Sequence, residues 1–64
     1  MAQPMNITDV NTGNTIAIDK TQVLALYELD LYRQIVMNSG QIYDATESFS
    51  TLSSAIGNAG GGNP

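Results

Sequence analysis

The chain has 64 residues, enough for one small domain. A domain this short buries only about 60% of the surface its unfolded chain exposes, so it needs a staple or a partner. There is no cysteine and no histidine, which excludes disulfides, thiolate metal sites and the commonest general base. Lys20 and Arg33 are the only basic side chains against six carboxylates, a formal net charge of −4. Two isolated cations cannot neutralise a run of phosphates, so nucleic acid is excluded as a partner class.

Residues 1–4 form a short N-terminal arm, with Pro4 biasing Gln3 toward extended backbone. Residues 5–56 are read as a single small domain, and it starts with a β-hairpin. Two β-branched segments, Asn6–Val10 and Thr15–Ile18, flank Asn11-Thr12-Gly13-Asn14, a turn cluster whose Gly and Asn tolerate positive φ. Ile16 and Ile18 fall on one face at the two-residue period. On the first segment Ile7 and Val10 fall on opposite faces, so the alternation is imperfect.

The next segment dominates the chain. Val23–Met37 reads VLALYELDLYRQIVM, and eleven of its fifteen residues are apolar. Asp19 as N-cap, Gln22 completing a capping box and Gly40 at the left-handed stop position predict a long helix over about 20–38. Tyr27-Glu28-Leu29-Asp30-Leu31 alternates as a strand would. The length of the run between cap and stop decides for helix, because strands usually have 4–8 residues. Wound at about 100° per residue, the segment divides into two stripes. Leu24, Tyr27, Leu31 and Ile35 make an inner stripe, and Leu29, Tyr32 and Val36 lie roughly opposite.

A weaker helix is predicted over about 41–56, where Ile42, Ala45, Phe49, Leu52 and Ile56 recur at three- and four-residue steps. Its many serines and threonines make it dependent on its docking partner. Residues 57–64, GNAGGGNP, read as a tail that is flexible or ordered by a partner. The fold class expected is therefore a small α+β domain: β-hairpin, helical hairpin, Gly-rich tail.

The segment opening with Asp9, Asn11 and Gly13 is superficially a calcium loop, but Asn14 and Lys20 stand where that loop needs glycine and a bidentate glutamate. It reads as a hairpin turn. Glu28 and Asp30, two apart, do not face each other on a helix, and no other group would orient a substrate. Gly60–Gly62 lacks the following lysine of a phosphate loop. No catalytic, cofactor-binding or metal-binding residue is therefore assigned, and the chain is read as non-enzymatic. Arg33 is expected either to pair with Asp30 three residues away or to anchor an interface.

Leu31-Tyr32-Arg33 followed by Asn38-Ser39 resembles the Leu-Tyr-Arg segment in the C-terminal helix of type III secretion needle subunits. The chain departs from that family in its hairpin start and glycine tail, and no functional residue is carried over. A hairpin beside helices in this length also resembles some head–tail joining proteins of tailed phages, at the level of fold alone.

The function expected is a non-catalytic structural or assembly subunit of a larger complex, of the virion (head or tail) or secretion-type kind. Its interface residues would be Leu29, Tyr32, Arg33, Val36 and Phe49. The alternative is a small regulatory module, inhibitor or antitoxin-like, that docks on one target. Partners are proteins, through self-association or a larger complex. The longest apolar run, Val23–Tyr27, is far below the roughly 20 residues of a membrane span. MAQPMNITDV has neither the basic region nor the apolar stretch of a signal peptide. The expected location is the cytoplasm or the interior of an assembled particle.

Overall fold

The computed structural model describes residues 2–57, so the tail expected over 57–64 lies outside the described residues except for Gly57, which ends a helix. Strands β1 (Pro4–Thr8) and β2 (Thr15–Asp19) pair antiparallel, with Met5 opposite Ile18 and Ile7 opposite Ile16. Opposed residues share a face, so these four apolar side chains turn inward together and leave Asn6 and Ala17 exposed. The connecting turn is built as its sequence implies. Gly13 takes φ +76°, and the Asp9 Oδ2 accepts hydrogen bonds from Asn11 N, Thr12 N and Thr12 Oγ1 at 3.2, 2.9 and 2.9 Å.

The helical hairpin expected after residue 19 does not form. Asp19 does cap a helix, but only the single 3-10 turn Lys20–Gln22, its Oδ1 accepting from Thr21 N at 3.0 Å. The chain then runs into β3 (Val23–Glu28), reverses, and returns as β4 (Arg33–Met37). The long helix over 20–38 is thus a β-hairpin, and the strand alternation around Tyr27–Leu31 was the truer signal. A helix here would be apolar on all sides, with too little chain to cover it. As two antiparallel arms, the same residues cover one another and need burial on one principal face. Val23, Ile35, Val36 and the two tyrosines also favour extended backbone. The reversal at Asp30-Leu31 is closed by Leu29 N donating to Tyr32 O at 2.9 Å. No described residue other than glycine has positive φ, so this turn uses none of the Gly or Asn that ordinarily marks a hairpin. The Leu-Tyr-Arg segment that resembled needle subunits leads out of this turn into β4, in no helix.

The second predicted helix is corrected as well. Ile42–Ala45 forms strand β5, and only Phe49–Gly57 is helical, as α1. Gly40 does adopt the positive φ its position suggested, +93°, but in the turn between β4 and β5 rather than behind a helix. Ser48 starts α1 by accepting from Thr51 N at its side-chain oxygen, 3.2 Å, which satisfies one of the free N–H groups of the first turn. The seam of Ile42, Ala45, Phe49, Leu52 and Ile56 is divided between two elements: Ala45 and Leu52 are buried, while Ile42 is exposed.

Strands β3, β4 and β5 form a second antiparallel sheet with β4 in the centre. Leu26, Ile35 and Tyr43 stand in one cross-strand row. The two sheets are stitched at one end. Asp9 and Ala45 form an isolated antiparallel bridge, Val10 N donates to Asp44 O at 2.9 Å, and Thr46 N donates to Thr8 O at 3.0 Å. Ile7 and Ile18 from the first sheet, Ile35, Met37 and Ala45 from the second, and Leu52 from α1 make one core.

One substitution separates this core from the one a helical hairpin would have, and a second at a core position common to both serves as its reference. Leu52, 1% exposed, should cost about 2–5 kcal/mol when replaced by alanine, enough to unfold most of so small a domain. Leu31, 83% exposed, belonged to the expected inner stripe, yet Leu31→Ala should stay within about 0.5 kcal/mol of the parent. Urea denaturation of both variants checks the pair.

Candidate functional site

The apolar side chains this fold leaves outside are concentrated along β3 and its turn. Leu24, Tyr27, Leu29 and Leu31 are all exposed, and Leu24 is 66% exposed. The reason lies in the hairpin geometry. The register slips between Val23 and Ala25, so Leu24 is the extra residue of a β-bulge and faces away from the ladder. Leu29 and Leu31 lie in or beside the reversal, where the backbone leaves the sheet. Leu24, Tyr27 and Leu31 were expected on an inner helix stripe; only Ile35 of that stripe is buried.

Beside β3 runs an open groove of about 280 Å³, lined by Val23–Leu26 on one side and by Phe49, Ser53, Ile56 and Gly57 of α1 on the other. Ala25 and Leu26 point to opposite faces of the sheet, so a groove touching both runs along the edge of the strand. Among the described residues that edge carries no strand, since β3 ends its sheet. Phe49, Ser53 and Ile56 follow one another at steps of four and three, and therefore share one helix face. Leu52, on the adjacent face, holds the helix to the core.

A second apolar feature lies on the sheet itself. Ala25, Val36 and Ile42 occupy one cross-strand row on the face away from Ile35, next to the row of Tyr27, Gln34 and Asp44. Val36 is half-buried and Ile42 exposed. The Oδ1 of Asp44 is buried without a hydrogen-bond partner.

The five residues expected at an interface are thus dispersed. Leu29 and Tyr32 flank the β3–β4 turn, Phe49 lines the groove, and Val36 belongs to the outer row. Arg33 and Val36, three apart in a strand, take opposite faces, so the stripe of Leu29, Tyr32 and Val36 does not exist as one surface. Arg33 does not pair with Asp30. Its Nε donates to Glu47 O at 2.9 Å and its terminal nitrogen to Thr46 O at 3.1 Å. Glu47 in turn receives Thr8 N and Thr8 Oγ1 on its two carboxylate oxygens at 2.9 and 2.8 Å. Arg33, Thr8 and Glu47 therefore form a polar clamp that holds β4, the end of β1 and the approach to α1 together. The sequence carried no marker of it, because its members are 39 and 14 residues apart.

Partial burial pushes the Glu47 carboxyl up, but the hydrogen bonds from Thr8 outweigh it and leave the group below its ordinary value. Asp19 is also lowered, chiefly by the hydroxyl of Thr21 and then by Gln3 N. A carboxyl lowered by folding contributes stability that is full above its unfolded pKa and is lost as pH falls through the folded one. The domain should therefore lose stability as pH drops below the carboxylate range, about 4. Glu47→Gln should lower stability at neutral pH by about 1–2 kcal/mol, the scale of a hydrogen bond to a charged group near the surface. It should also flatten the acid dependence, as read from thermal midpoints between pH 3 and 7.

Among the described residues no group of three or more His, Cys, Asp or Glu side chains is placed to hold a metal ion, and no helix is long and apolar enough to cross a membrane. No protein-family model matches the chain, and neither curated proteins nor solved structures show a significant match.

Proposed function

We propose that this chain is a non-catalytic, protein-docking subunit of a larger assembly, of the structural kind found in virions or secretion machinery. The observation that carries the reading is the set of exposed apolar side chains Leu24, Tyr27, Leu29 and Leu31 along β3 and its turn, the first of which lines the groove. Single exposed leucines are ordinary on a small protein. Four large exposed apolar residues within eight positions, one of them lining an apolar groove, are a concentration of the kind that marks interaction sites. The aromatic Tyr27 adds a residue type enriched at binding hot spots. The polar clamp at Arg33 and the core of six side chains hold the sheet together without Leu24, Tyr27, Leu29 or Leu31, none of which is buried among the described residues. A regulatory module docking on a single target would use the same patch; copy number in the native complex separates the two.

The test uses exposed positions, so that folding and docking come apart. Leu24→Glu combined with Leu31→Glu should leave the unfolding midpoint of the isolated protein nearly unchanged, because both side chains are already in solvent. The same double variant, expressed from its native locus, should move from a high-molecular-weight fraction to the free monomer on sedimentation of cell extract. A parent protein that sediments as a free monomer would overturn the reading.

A further inference from the structure

We infer that the groove between β3 and α1 takes an extended segment of a partner protein as an added antiparallel strand on the free edge of β3. This rests on the docking reading above and specifies the form of its partner. Three observations carry it. The first is the edge. Among the described residues, Val23–Glu28 make no backbone hydrogen bond outside the pairing with β4, so half of the peptide groups of β3 present unpaired donors and acceptors. The bulge at Leu24 distorts the start of that edge, while Ala25–Glu28 is regular. An exposed edge is a template for another strand unless it is blunted.

The second observation is the helix beside it. An edge strand flanked by a helix is the geometry in which an extended peptide gains main-chain hydrogen bonds on one side and seats alternate side chains on the other. Here the seat is formed by Phe49 and Ile56, with the small Ser53 between them leaving room. A volume of about 280 Å³ suits one or two apolar side chains rather than a helix.

The third is charge. Lys20 lies just before β3, and Glu28 and Asp30 lie at and beyond its other end. A strand added antiparallel enters beside Glu28 and Asp30 and leaves beside Lys20. The occupant is therefore an extended segment with apolar residues at alternate positions, a basic residue before them and an acidic one after. The net charge of −4 also favours encounter with a basic segment.

The probe is a displayed library of random 12-residue peptides selected on the purified full-length chain, followed by NMR titration of the enriched peptides. The expected result is enrichment of alternating apolar sequences led by Lys or Arg, with shifts confined to Val23–Glu28, Phe49, Ser53 and Ile56. N-methylation of alternate peptide amides should weaken binding at least tenfold. Ser53→Phe, which fills the groove from an exposed helix position, should do the same without moving the unfolding midpoint, as should Leu24→Lys. Glu28→Lys, which leaves only Asp30 to oppose the new cation, should remove the preference for a leading basic residue. No enrichment on the folded chain, or equal binding by N-methylated peptides, would overturn the inference. Shifts centred on Val36 and Ile42 would overturn it while leaving the docking reading in place. A parent dimer dissociated by Ser53→Phe would make a second copy the occupant. Peptides binding tenfold tighter after deletion of residues 58–64 would make the chain's own C-terminus the occupant. Either outcome replaces the foreign segment.

Discussion

Strand β4 carries hydrogen bonds to β3 on one side and β5 on the other, and its Ile35 and Met37 supply a third of the buried core. Its pairing with β3 is what turns fifteen mostly apolar residues from a liability into a sheet. One arm of the hairpin shields the other, Leu26 stands opposite Ile35, and the demand for outside cover shrinks to the edge and the turn. Arg33, at the start of the same strand, fixes the approach to α1 through two backbone carbonyls, and Glu47 from that approach holds β1. With the centre of the second sheet tied in this way to the first, one short helix bearing Leu52 completes the core.

The first hairpin was legible because its composition and turn signals agreed, despite the imperfect alternation of Ile7 and Val10: β-branched runs, an Asx turn at Asp9 and a glycine at positive φ. The second was not, and the cause is local to Asp30-Leu31. A hairpin whose turn contains neither glycine nor asparagine leaves no punctuation, so two strands of six and five residues read as one uninterrupted apolar element of helical length. The cap at Asp19 reinforced the error, since Asp19 does cap a helical turn, one that stops after three residues. Gly40 was likewise read for its backbone freedom correctly and for its context wrongly. Leu52 and Ile56 kept helical spacing because that part is helical; Ile42 and Ala45 matched the same spacing by coincidence, since residues three apart lie on opposite faces of a strand.

The proposed docking surface was half legible. Exposed apolar area within Val23–Met37 follows from the chain's size and composition in either fold, and Leu29 lies in the patch under both. Which residues face out depends on period. At 3.6 residues per turn Leu31 is a core residue, whereas in a two-residue turn it is the most exposed leucine of the hairpin. The polar clamp could not be read at all, since it joins residues distant in sequence through backbone carbonyls that every residue possesses.

The decisive measurement is the pattern of nuclear Overhauser effects over residues 20–38 in the isotope-labelled chain. The account predicts strong contacts across the hairpin, between the pairs Ala25–Val36 and Tyr27–Gln34, together with strand-type α-carbon shifts on both arms. Continuous amide–amide contacts through Asp30 and Leu31 with helical shifts from Val23 to Met37 would contradict it, and would return Leu31 to the core.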